Sequence, residues 1–129
     1  MSVTMHAQNR IVSIVDDDEP VRDSMRLLLE SLGFRARDYA SAQNLLDDPD
    51  GIDCSCLVLD LHMPGMSGLE LLEMLRSRGV RVPALLVTAN GDPKLESRIE
   101  RAGILATLAK PVSENLLLEW IERACAASA

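Results

Sequence analysis

Four short segments hold the side chains that could do chemistry. Asp16, Asp17 and Asp18 stand in a row after an apolar run, and Asp60 closes a second such run. Thr88 closes a third, and Lys110 follows a fourth, directly before Pro111. An isolated acidic run is ordinarily a solvated turn whose charges oppose a helix dipole. The reading changes when Asp60 joins it. Carboxylates crowded at one place repel one another, and their pKa values rise unless a cation neutralises them. Mg2+ suits such a set, because it takes one or two carboxylates, a backbone carbonyl, water and a phosphate oxygen. Asp17 and Asp60 are expected as direct ligands, Asp16 directly or through water, and the backbone carbonyl of His62 as a further ligand.

Asp60 is also a candidate nucleophile, since aspartate can attack phosphorus to give an acyl phosphate. Phosphoryl transfer spreads charge over three equatorial oxygens, and catalysis is mostly positioning and neutralisation. The cation would cover one oxygen and Lys110 another. The Thr88 hydroxyl with the Ala89 N–H would cover the third. Taken singly, a lysine before a proline is usually a solvated turn residue, and a threonine is a common strand end. Their weight comes from joint placement after successive strands. A cis bond before Pro111 is expected to turn the chain sharply and aim Lys110 into the site. The single imidazole of His62 is expected at the rim. Ser67 reads as a helix cap, Met63 and Met66 as loop packing, and Trp120 as a core anchor. Neither a Rossmann fingerprint nor a P-loop follows any strand, so a phosphoryl donor is expected to be external.

The elements that must position these groups follow from hydrophobic spacing. Residues 11–15 and 56–60 are apolar runs suited to strands buried on both faces. Further strands are expected over 34–38, 83–88 and 104–108. Between them, Val21, Met25, Leu28, Leu29 and Leu32 recur at helical spacing after Pro20. Ser41 caps a short helix through Leu46. Ser67 and Glu70 form a capping box ahead of Leu69, Leu72 and Leu75. Asp92 and Pro93 open a helix to Ala102 anchored by Leu95 and Ile99. Leu116, Leu117, Trp120, Ile121 and Ala124 stripe the last helix. Strand and helix thus alternate five times, which predicts an α/β domain with a parallel sheet and helices on both faces. Asp16, Asp17, Asp60, Thr88 and Lys110 all fall at or just past a strand's C-terminal end, the edge where ligands bind in open α/β sheets.

The chain has 129 residues with 20 acids against 13 Lys plus Arg, a formal charge of −7. That length suits one domain with a real core. The sign of the charge disfavours direct nucleic-acid binding. Cys54, Cys56 and Cys125 are an odd number and read as structural thiols. No apolar stretch approaches membrane length, and Met1 to Arg10 lacks the apolar core of a secretory signal, so a cytoplasmic protein is expected. Residues 1–8 are expected to be a frayed lead-in, 9–126 the domain, and the closing Ala-Ala-Ser-Ala a frayed end.

The segments Ile14–Arg22, Leu57–Gly68, Thr88-Ala89 and Leu108–Pro111 together resemble the receiver domain of two-component response regulators, over about residues 9–125. The first is similar to the nitrogen-fixation transcription regulators of the FixJ type. The resemblance implies a flavodoxin-like three-layer sandwich with five strands in the order 2-1-3-4-5 and five helices. It implies that Asp60 takes phosphate from a sensor histidine kinase or phosphotransfer protein, with Asp16 and Asp17 serving Mg2+ and Lys110 contacting the phosphoryl group. Thr88 would reorient toward the phosphate and bias the face built from the fourth helix, fifth strand and fifth helix toward a downstream protein target. A homodimer through that face is the assembly the family offers. Slow self-dephosphorylation would be tuned by His62 and Asn90. The chain departs from the pattern at Thr107, where the family usually has Tyr or Phe. A small side chain cannot turn inward as a ring does, so output is expected to rest on the loop 90–92 and the fourth helix. No output domain or linker follows, which favours a single-domain protein as the expectation.

Three rival readings compete with this one. A haloacid-dehalogenase-like phosphatase would want a second carboxylate two residues after Asp60, where His62 stands. A flavin binder would want a hydroxyl-rich loop where the three acids stand. A receiver fold acting as a binding module without phosphorylation would draw its support from Thr107.

Overall fold

The structure is a computed structural model, and it describes residues 10–127. The expected frayed lead-in over 1–8 lies outside the described residues, as do residues 128 and 129. Five strands alternate with five helices: β1 (Ile11–Val15), α1 (Glu19–Ser31), β2 (Arg35–Tyr39), α2 (Ala42–Asp47), β3 (Cys56–Asp60), α3 (Gly68–Ser77), β4 (Ala84–Thr88), α4 (Glu96–Arg101), β5 (Ala106–Ala109) and α5 (Glu114–Ala127). All strand pairs are parallel, in the order β2-β1-β3-β4-β5. Among the described residues no helix is long and apolar enough to cross a membrane.

The period-2 geometry of strands divides the core in two. Cys56 and Val58 of β3 and Leu85 and Val87 of β4 face Met25 and Leu29 of α1 and Leu117 and Ile121 of α5. Leu57 and Leu59 of β3 and Leu86 of β4 face the other way, against Leu45 of α2 and Leu69, Leu72 and Leu75 of α3. Every residue of β3 and β4 is therefore buried. Each of these leucines contributes about 2 kcal/mol by leaving water. The strands that end in Asp60 and Thr88 are thus buried along their whole length.

Caps fix where the helices begin. Ser41 accepts from the Asn44 N–H at 3.0 Å. Ser67 and Glu70 form the reciprocal capping box, at 3.1 and 2.9 Å. Several boundaries differ from those the spacing predicts. β2 starts at Arg35 rather than Phe34, because the Phe34 N–H closes the end of α1 on the Leu29 carbonyl and its ring enters the core. β5 runs Ala106–Ala109 rather than 104–108. The helix expected from Asp92 to Ala102 opens as a 3-10 turn, Pro93–Leu95, before α4. Leu95 and Ile99 are only partly buried there. Leu32 and Leu116 are 47 % exposed and do not belong to the buried stripes of α1 and α5. The closing Ala126 and Ala127 continue α5 rather than fraying from it. Trp120 is half-buried, and the Arg123 guanidinium stands 4.8 Å above its ring.

Candidate functional site

The C-terminal ends of β1, β3, β4 and β5 converge at one sheet edge. Parallel pairing sets Val15 beside Leu59 and Asp60 beside Val87, so Asp16 and Asp60 emerge next to each other. Thr88 pairs with Ala109, and the Lys110 N–H extends that ladder to the Thr88 carbonyl at 2.9 Å. The Lys110–Pro111 peptide bond is cis, as the sequence reading expects.

Three of the predicted residues form a compact acidic group. One carboxylate oxygen each from Asp16, Asp17 and Asp60 lie within 4.8 Å of one another. Asp16 and Asp60 are 1 % and 4 % exposed, whereas Asp17 lies open to solvent. Lys110 Nζ sits 3.1 Å from Asp16 Oδ2 and 3.4 Å from Asp60 Oδ2. Burial, followed by the neighbouring Asp16 charge, pushes the Asp60 carboxyl up to about 6, against the opposing pull of Lys110 and the His62 N–H. Lys110 is itself raised: its partial burial favours the neutral amine, but Asp16 and Asp60 together outweigh that.

The electrostatics fit a divalent cation. Asp16 Oδ1 accepts from the Asp18 N–H at 2.8 Å, but among the described residues buried Asp16 Oδ2 meets no donor other than the Lys110 ammonium at 3.1 Å, with the Asp17 and Asp60 carboxylates close by. Three carboxylates face a single ammonium, all donors are hard oxygens, and the exposed side at Asp17 leaves an entrance.

Thr88 and the remaining predicted residues stand around this group. The Thr88 hydroxyl does not point at the acids. It donates to the Asn90 carbonyl at 2.7 Å and accepts from the Asn90 N–H at 3.2 Å. Ala89 and Asn90 are exposed on the loop that follows. The His62 N–H donates to Asp60 Oδ1 at 3.3 Å, and its exposed ring places Nε2 3.4 Å from the Asn90 carbonyl, at the rim. Thr107 pairs with Leu86 on β5 and is exposed.

Residues without titratable chemistry also shape the site. An added Cβ on Gly68 would fall against the carbonyl oxygen of Asp60 and 2.9 Å from its carbonyl carbon. Only glycine lets the first turn of α3 pack this closely against the end of β3. Arg22, whose side chain is 12 % exposed, donates to the Asp16 carbonyl at 2.8 Å and pairs with Asp38 at 3.3 Å. Neither role was read from the sequence. A glycine just after a capping serine and an arginine on a helix are individually unremarkable, and the signal lies in backbone proximity that spacing does not reveal.

Comparison with known proteins gives a consistent result. A family model described as the response regulator receiver domain matches residues 12–122. The response regulator protein TmoT of Ectopseudomonas mendocina is 34% identical over 120 residues, 93% of this chain and 54% of that protein. The transcriptional regulatory protein FixJ of Rhizobium meliloti (strain 1021) is 37% identical over 113 residues, 88% of this chain and 55% of that protein. The crystal structure of FixJ-N superposes with a TM-score of 0.79 at 38% identity, covering 92% of this chain and 94% of that one. The chain spans just over half the length of these curated relatives.

Proposed function

The chain belongs to the response regulator receiver domain family, and on that premise we propose that Asp60 accepts a phosphoryl group from a sensor histidine kinase or phosphotransfer protein. Receiver domains bind Mg2+ at an acidic pocket and are phosphorylated by histidine kinases. In this chain the receiver unit runs over residues 9–126. Asp16, Asp17, Asp60 and the His62 carbonyl would hold the metal, which would supply positive charge for one phosphoryl oxygen.

The observation that carries this reading is the position of Asp60. It is a buried carboxylate at the end of the central strand, with Asp16 and Asp17 on one side and Lys110 at 3.4 Å. With its carboxyl raised only to about 6, Asp60 is mostly ionised near pH 7 and can attack. An Asp60 oxygen bonds to phosphorus as the phosphorus–nitrogen bond of the donor breaks, and the donor imidazole keeps that electron pair and takes a proton. Lys110 is already placed for a second phosphoryl oxygen. For the third, Thr88 must give up its bond to the Asn90 carbonyl and turn inward, where the Ala89 N–H joins it.

Release of that bond couples chemistry to shape. It frees the loop 90–92 that leads into the 3-10 turn and α4, so output runs through α4, β5 and α5 to a protein target or a second copy of the chain. Thr107 cannot supply a turning ring, which leaves the loop as the moving part. His62 and Asn90 flank the path of the water that slowly hydrolyses the acyl phosphate.

Incubation with Mg2+ and a small-molecule phosphodonor, followed by intact-mass measurement, tests the reading. One phosphate adduct is expected, absent from Asp60→Asn and from samples with chelator. No adduct with several donors, on folded protein, would contradict it.

A further inference from the structure

The acidic loop between β1 and α1 is held from outside by a second pair of charges. The Asp16 N–H donates to the Tyr39 carbonyl at 3.1 Å. The Asp16 carbonyl accepts from Arg22 Nη1 at 2.8 Å, and Arg22 Nε reaches Asp38 Oδ2 at 3.3 Å. Asp38 and Tyr39 are the last two residues of β2, in register with Ile14 and Val15 of β1. Both peptide groups flanking the Asp16 Cα are therefore tied to the end of β2, one directly and one through the guanidinium. The second of these is the Asp16–Asp17 peptide, whose plane sets where the exposed Asp17 carboxylate can reach.

From this geometry we infer that Arg22, braced by Asp38, is a positioning residue for the cation site, fixing the Asp16–Asp17 peptide so that Asp17 and Asp16 meet a divalent ion without further ordering. The inference rests on the metal-binding role proposed above. An arginine is well suited to the task, because its rigid fork serves a carbonyl and a carboxylate at once, and a lysine ammonium does not. Outer-shell partners of this kind are commonly worth tenfold or more in metal affinity.

The effect has a diagnostic sign. Arg22 is a cation beside an acidic cluster, so as a mere charge it opposes metal binding, and its removal would tighten the site. As a brace it favours binding, and its removal must weaken the site. Mg2+ affinity of the unphosphorylated full chain, measured by calorimetric titration alongside thermal unfolding, separates the two. Arg22→Met is expected to weaken Mg2+ about tenfold, and Arg22→Lys to recover only part of the loss. Asp38→Asn is expected to weaken it by a smaller factor. Arg26→Met is the control: it removes the same charge one turn along α1, where Arg26 pairs with Asp23, Glu30 and, at 3.9 Å, Asp38 but makes no contact with Asp16. It should leave affinity unchanged or slightly tighter.

Equal or tighter Mg2+ binding by folded Arg22→Met would overturn the inference while leaving the metal site intact. So would equal losses in Arg22→Met and Arg26→Met. Should Arg22→Met fail to fold, wild-type affinity in both Arg22→Lys and Asp38→Asn would overturn it. A wild-type chain that binds no Mg2+ would remove the functional reading itself, and this inference with it.

Discussion

Replacing Asp60 with asparagine should make the metal-free protein more stable, not less. In the folded chain the Asp60 carboxyl is pushed up from 3.8 to about 6, by burial first and by Asp16 second. At about 1.4 kcal/mol for each tenfold change in proton affinity, holding the ionised form there costs about 3 kcal/mol. Asparagine keeps the shape and removes the charge, but it also gives up the Lys110 contact at 3.4 Å and is itself desolvated. After those losses and solvent screening, a gain of about 1–2 kcal/mol remains at pH 7.5, or about 4–8 °C in melting temperature for a chain of this length. The sign of the pH dependence follows from linkage. Between pH 4 and 6 the native Asp60 holds a proton that the unfolded chain has released. The native state therefore binds more protons at this site, and the Asp60 contribution to wild-type stability rises as pH falls through that window. The advantage of Asp60→Asn is fully present above pH 6 and fades toward pH 4. Thermal unfolding by circular dichroism in chelator, from pH 4 to 7.5, measures this directly. Added Mg2+ should then stabilise wild type more than the variant. A variant less stable than wild type at pH 7.5 without metal, or an advantage unchanged down to pH 4, would refute the electrostatic reasoning.

Lys110→Met removes the one ammonium near Asp16 and Asp60, so in chelator at pH 7.5 urea unfolding should show a loss of about 3 kcal/mol. The loss should shrink near pH 5, where Asp60 takes up a proton more readily still. Gly68→Ala forces a methyl against the Asp60 carbonyl and should cost about 1–3 kcal/mol in urea unfolding. The same variant should slow adduct formation from a phosphodonor, since relief of the clash moves the nucleophile.

The sheet was legible because its signals are local and strong. The runs at 56–60 and 84–88 are apolar at every position but the last, and only strands covered on both faces need that. Ser41, Ser67 and Asp92 announced their helices because a cap is a side-chain requirement at a fixed offset. The meeting of Asp16, Asp17, Asp60 and Lys110 could be foreseen because each closes, or stands within two residues of, the C-terminal end of a strand in one parallel sheet.

The parts that escaped the sequence depend on other forces. β5 leaves alternate residues exposed at the sheet's edge, so its limits were set by pairing with β4 and not by apolar pattern. The Thr88 hydroxyl was expected among the phosphate ligands, but without a phosphate its best partner is the Asn90 backbone two residues on. Gly68 and Arg22 act on backbone carbonyls, and a carbonyl is the same in every residue type. Both stand at the ends of the segments that carry the family resemblance, Leu57–Gly68 and Ile14–Arg22, but their spacing gives no hint of these contacts.

Locating the phosphoryl group tests the central claim most directly. Borohydride reduces an acyl phosphate to an alcohol and spares free carboxylates, so reduction after phosphodonor treatment, with fragment mass spectrometry, reads the acceptor residue by residue. A homoserine at position 60, with Asp16, Asp17 and Asp18 untouched, is the predicted result. A label on any of those three acids or on His62, with Asp60 unmodified, would contradict it.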